Sequence, residues 1–164
     1  MHYGRALLLT KPLQFGHNDQ KPDKNISLSD YATNLGNFVK EVRSAKATPI
    51  LLTPLTRRQF SGTPPRIIEN LANERNTTIA VAESLDTLWV DLNEASKWYC
   101  NTIGLEASYK YNYEEGDRTH LNDWGSVVFG RLVSDLLGEV NKDIAKWTTP
   151  NATLSEQLEQ GIPA

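Results

Sequence analysis

The stretch "TPILLTPL" (residues 48–55) limits the fold more than any other part of the chain. It is short, apolar and nearly unbroken. A strand with one wet face alternates apolar and polar residues, whereas a strand covered on both faces reads as a continuous apolar run. Residues 48–55 are therefore expected to form an inner strand of a parallel sheet with helices on both sides. The segment ahead of it agrees. Ser27-Leu-Ser-Asp30 has the form of a capping box, and Tyr31, Leu35, Phe38, Val39 and Val42 then recur at helical spacing.

The remaining segments fill in an alternating pattern. Residues 6–15 read as a poor strand interrupted by Lys11 and Pro12, which suits an edge or an irregular segment. Thr63-Pro64-Pro65 reads as a helix start, with the helix running to about Ser84 through Ile67, Ile68, Leu71, Ala72, Ile79 and Ala82. "TLWVDL" (87–92) is a third strand. A short helix over 93–103, a Tyr-rich loop over 104–119 and a last helix from Asn122 or Asp123 to Gly138 follow. That last helix should turn Val127, Val128, Leu132, Val133, Leu136 and Leu137 toward the core. Strands alternating with helices predict an α/β class with a parallel sheet. Residues 1–12 read as a non-family or disordered start, 13–147 as the domain and 148–164 as a tail.

Composition bounds the function. The 164 residues carry 39% hydrophobic and 23% charged side chains, typical of a globular chain. A net charge of −3, and no basic run longer than Arg57-Arg58, argue against a nucleic-acid partner. No stretch has the roughly 20 apolar residues of a membrane span, and no signal peptide is recognisable at the start. Asn25, Asn76 and Asn151 begin glycosylation sequons, a number close to chance. Cys100 is the sole cysteine and is expected to be a buried small residue.

Two stretches carry chemistry. "FGHNDQKP" (15–22) places Gly16, His17, Asn18 and Asp19 at a strand exit, and parallel sheets gather ligands at the carboxyl ends of their strands. "DRTHLNDWG" (117–125) sets Asp117 three residues before His120 in a loop that feeds a helix. A bent loop can bring that carboxylate to one imidazole nitrogen, leaving the other to take a proton from a nucleophile. Taken alone, Asp-x-x-His is a weak signal, as readily a surface Asp beside an ordinary His.

With "TPILLTPLTRRQF" between them, these stretches resemble blocks of the SGNH (GDSL-type) hydrolases. They look most like the rhamnogalacturonan acetylesterase-like branch, especially its fungal carbohydrate-esterase members. The resemblance covers residues 13–138. It implies a three-layer α/β/α, flavodoxin-like sandwich lacking the first strands, and ester hydrolysis by a Ser-His-Asp triad without cofactor or metal. His120 then resembles the general base, Asp117 its orienting acid, and Asn18 and Gly16 the oxyanion elements, with Asp19 bracing the loop. His17, Arg57 and Trp124 are candidate substrate contacts. Arg57 and Arg58 stand between contacting an acidic sugar and being solvated. Tyr109, Tyr111 and Tyr113 stand between lining a sugar groove and packing. The implied substrate is an acetylated polysaccharide or another small ester, and the family works outside the cell.

The family's G-D-S nucleophile block has no match in the chain. Ser61, Ser84 and Ser126 do not sit in a strand-to-helix turn of the required kind, and Cys100 has no base neighbour in sequence. A truncated esterase, with self-association through an exposed sheet edge, is the expectation. Two other classes compete. A metal-dependent phosphoesterase would use Asp-x-His and Gly-Asn-His-Asp/Glu spacings, which differ from those here, and would lose activity on chelation. A hydrolase-like carbohydrate-binding or interaction protein would bind glycan without turnover.

Overall fold

The computed structural model describes residues 9–164. In chain order the elements are β1 (Thr10–Gln14), α1 (Leu28–Ser44), β2 (Thr48–Leu52), β3 (Phe60–Ser61), β4 (Arg66–Ile67) and α2 (Ala72–Ser84). Then come β5 (Leu88–Val90), α3 (Leu92–Tyr109), α4 (Asp123–Val140) and α5 (Ala152–Gln160). The expected start over residues 1–12 lies mostly outside the described residues, but Thr10–Pro12 belong to β1.

Strand β2 is the middle of a parallel sheet ordered β1-β2-β5. Its apolar run is covered on both faces, as expected. Leu51 packs with Leu13, Tyr31, Leu35, Val39 and Ala82, under α1 and α2. Ile50 and Leu52 point the other way, to Val90, Leu92 and Leu137, under α4. The result is a parallel sheet between helical layers. Pro12 sits opposite Ile50 in β1, and among the described residues β1 pairs with β2 alone, so a residue without an N–H is tolerated there.

Local chemistry sets the helix starts. Ser27 Oγ accepts the Asp30 N–H at 3.1 Å, and Asp30 Oδ2 accepts the Ser27 N–H at 3.2 Å, closing the capping box of α1. Asn122 caps α4 by accepting the Gly125 N–H at 2.8 Å.

The structure departs from the sequence reading in four places. Residues 60–67 form a two-stranded hairpin instead of a helix start, and α2 begins at Ala72. The two prolines close the hairpin turn, and the hairpin is held from a distance, by Asn101 Oδ1 accepting the Ile67 N–H at 2.9 Å. Helix α3 runs to Tyr109, past the non-helical Gly104 (φ 84°), where Ser108 Oγ donates back to the Gly104 carbonyl at 2.7 Å. Val127, expected in the core, is 50% exposed beside buried Val128 and Phe129. The expected tail holds α5, capped by Asn151, whose Leu154 and Leu158 enter a core with Tyr99, Tyr111, Val128 and Phe129.

Gly125 lets α4 meet the loop before it. A Cβ there would lie 2.6 Å from the Tyr111 carbonyl oxygen and 2.9 Å from Tyr111 Cβ, whereas nothing lies within 4 Å of one at Gly130. Gly125→Ala should therefore cost about 1–3 kcal/mol through overpacking, despite alanine's higher helix propensity. Gly130→Ala should stabilise by about 0.5–1 kcal/mol. Urea unfolding of the two variants checks the opposite signs.

Candidate functional site

The loop between α3 and α4 is organised around Asp117. Its Oδ1 accepts the backbone N–H groups of Thr119 at 2.7 Å and His120 at 2.8 Å, and its Oδ2 lies 2.7 Å from His120 Nδ1. These bonds, the backbone ones first, hold the Asp117 carboxyl down to about 2, so it is an acceptor only. The His120 proton partner must then be on Nδ1, which leaves Nε2 of the neutral ring unprotonated. The Asp117 side chain is 16% exposed and that of His120 76%, so the carboxylate lies beneath and the imidazole stands at the rim. The base of the loop is closed by the Tyr113 N–H to the His120 carbonyl and the Asn122 N–H to the Tyr111 carbonyl, both at 3.1 Å.

The facing loop leaves β1. Gly16 is buried at φ 121°, and a Cβ there would lie 3.2 Å from Glu74 Cβ, which is the reason for glycine. Its N–H donates to Asp19 Oδ2 at 3.0 Å, so Asp19 braces the loop. That bond occupies the Gly16 N–H. Asn18 is exposed, and its side-chain amide makes no hydrogen bond among the described residues.

Between the two loops is a cleft of about 540 Å³ that brings together Gly16, His17, Asn18, Arg57 and His120, with Lys21 at the side. Burial first, then the Arg57 charge, depresses His17 to about 4, so it is neutral in the cleft at pH 7. Arg57 turns its donors inward, to Gln20 Oε1, the His17 carbonyl (3.2 Å), Asn70 Oδ1 (3.4 Å) and Thr119 Oγ1 (3.2 Å). Arg58 is fully buried rather than solvated, donating at 2.6 Å to both Asn112 Oδ1 and the His120 carbonyl.

Other sequence candidates lie elsewhere. Trp124 does not line the cleft, and its indole N–H donates to the Ala164 carbonyl oxygen at 3.1 Å. Of the tyrosines, Tyr111 is core, Tyr109 stacks under the Arg118 guanidinium at 3.7 Å, and Tyr113 is exposed away from the cleft lining. Cys100 is buried, which pushes its thiol up to about 11. Ser126, near the start of α4, does line the cleft, but among the described residues no hydroxyl hydrogen-bonds His120. Sequence reasoning missed the parts played by Arg58, Gln20 and Thr119, because cross-element contacts leave no spacing signal.

His17 gives the fold a pH dependence. Between pH 6.5 and 4 the unfolded chain binds a proton that folded His17 refuses, so stability falls as pH falls across that window. His17→Gln should flatten that slope, measured as urea midpoints across the window. An unchanged slope would mean that His17 is not the group responsible.

No family model matches the chain. It is 30% identical over 140 residues to the rhamnogalacturonan acetylesterase RhgT of Bacillus subtilis, covering 78% of this chain and 60% of that protein. It is 31% identical over 123 residues to the uncharacterized esterase YxiM of the same organism, covering 73% of this chain and 31% of that one. The chain thus spans 60% or less of the length of the curated relatives it matches. The crystal structure of YxiM superposes with a TM-score of 0.71 over 79% of this chain and 36% of that chain, at 27% identity. The acetylxylan esterase Axe2 of Geobacillus stearothermophilus shares the fold at 20% identity, with a TM-score of 0.60 over 79% of this chain and 59% of that one. In sequence and fold the chain is similar to esterases of the SGNH (GDSL-type) kind, with a rhamnogalacturonan acetylesterase among its homologues.

Proposed function

We propose that the cleft is the base and oxyanion side of an ester hydrolase site that removes acetyl groups from a cell-wall polysaccharide, rhamnogalacturonan being the foremost candidate. The observation that carries this reading is the Asp117–His120 pair, which leaves Nε2 free at the rim of a cleft that Asn18 also lines. In a Ser-His-Asp triad His120 takes the serine proton, and Asp117 orients and stabilises the imidazolium. The Asn18 amide donates to the oxygen that becomes negative in the tetrahedral intermediate. The acetylesterase name of one relative supports the acyl group. Lys21, in no ion pair with Asp or Glu among the described residues, supports an acidic sugar as the alcohol.

The triad serine has no counterpart in this reading among residues 9–164. This favours a second reading, a glycan-binding protein without turnover, carried by the lack of any hydroxyl hydrogen-bonded to His120 among the described residues.

Initial rates on an activated acetyl ester separate the readings. The 164-residue chain should turn over at background, equal to its His120→Ala variant. In a chain that also carries the family's G-D-S block, Asn18→Ala should lower kcat by about 10²–10³ with little change in KM. Asp117→Asn should lower it by about 10⁴ and His120→Ala by about 10⁶. Turnover by the 164-residue chain that vanishes in His120→Ala would place a nucleophile within it. Variants at wild-type rates would overturn the site.

A further inference from the structure

Arg57 reaches both walls of the cleft. From the segment after β2, its Nη2 reaches the His17 carbonyl and its Nη1 reaches Gln20 Oε1 and Asn70 Oδ1, all on or beside the Asn18 wall. Its Nε donates to Thr119 Oγ1, between Asp117 and His120 on the other wall. All the acceptors are neutral, and among the described residues Arg57 is in no ion pair. A guanidinium spread over four neutral acceptors on separate segments gains little from charge pairing. What it supplies is geometry, through a rigid planar fork.

The fork is itself braced. Gln20 Nε2 donates to the Asn70 carbonyl at 2.5 Å, so the Gln20 amide is held at both ends between Arg57 and the approach to α2. On the far wall Thr119 is fixed by its N–H to Asp117 Oδ1 at 2.7 Å. A chain of hydrogen bonds therefore runs from Asn70, just ahead of α2, through Gln20, Arg57 and Thr119 to Asp117. Neighbouring Arg58 secures the His120 carbonyl but, among the described residues, makes no hydrogen bond to the Asn18 wall.

We infer that Arg57 is a positioning residue that sets the gap between the Asn18 amide and the His120 imidazole by cross-linking the two loops that carry them. The cross-link stands on geometry. Its consequence for catalysis rests on reading the cleft as an esterase site. Lysine cannot replace the fork, because one ammonium on a flexible stem cannot serve acceptors on both walls at once.

Amide hydrogen exchange on the 164-residue chain tests the cross-link without any substrate. The reporters are the Gln20 and Lys21 amides, bonded to the Gly16 and Asn18 carbonyls, and the Thr119 and His120 amides, bonded to Asp117. In Arg57→Ala both pairs should exchange about tenfold faster, while α1 and β2 keep their protection. Free guanidinium at a non-denaturing concentration should restore both pairs, and Arg57→Lys should restore no more than one. Faster exchange in one loop only, or loss of protection spreading into α1 and β2, would overturn the inference. In a serine-bearing chain Arg57→Ala should lower kcat and leave KM unchanged. If exchange responds as stated but no such chain hydrolyses esters, the esterase reading fails alone. If such a chain hydrolyses esters and exchange does not respond, the positioning role fails alone.

Discussion

A guanidinium in no ion pair among the described residues, buried among Asn112, His120 and Phe129, is the interaction on which the rest of this structure depends. Arg58 is fully buried, sits 5.9 Å from the Phe129 ring and donates to Asn112 Oδ1 and the His120 carbonyl. Its own N–H donates to the Arg118 carbonyl at 2.8 Å. Burying a charge is costly unless its donors are used, and here one terminal nitrogen, Nη1, and the Asn112 amide nitrogen lack partners among the described residues. Such a group persists because it closes the α3–α4 loop over the core, so the loop bearing Asp117 and His120 is fastened to the segment leaving β2.

That segment organises the whole carboxyl edge of the sheet. Thr53 Oγ1 donates to Asp91 at 2.9 Å and accepts the Asn93 N–H at 2.8 Å, and Ser96 Oγ accepts the Thr56 N–H at 3.1 Å. These bonds dock the start of α3 against the end of β2, and Arg57 and Arg58 then carry the same segment to both cleft loops. The apolar strand and the polar cluster after it are one device. The first anchors the segment in the core, and the second distributes it to the site.

The α/β plan was legible because it rests on local periodicity. The nearly unbroken run at 48–55, the capping box at Ser27 and the helical stripe from Tyr31 each have a cause within a few residues. The hairpin at 60–67 and helix α5 were not legible, since their stability comes from distant partners. Asn101 holds the first, and the Tyr99–Phe129 core receives Leu154 and Leu158 of the second. The site divides in the same way. Asp117 and His120 are partners three residues apart, so their pairing could be read from spacing. Spacing could not show that Trp124 turns to Ala164, that Tyr111 is core, or that Arg58 is buried, because each depends on what another element brings beside it.

The likeness to acetylesterases, the paired Asp and His, and the exposed Asn18 converge on one chemical statement: His120 is held by Asp117 in the tautomer that can receive a proton at the cleft. The imidazole nitrogen-15 spectrum of His120, recorded where the ring is neutral, reads this directly. The account requires a protonated Nδ1 and an unprotonated Nε2, with Asp117→Asn losing that preference. A spectrum with the proton on Nε2 in the unmodified chain would contradict it, since the nitrogen facing the cleft would then be a donor and His120 could not act as a base.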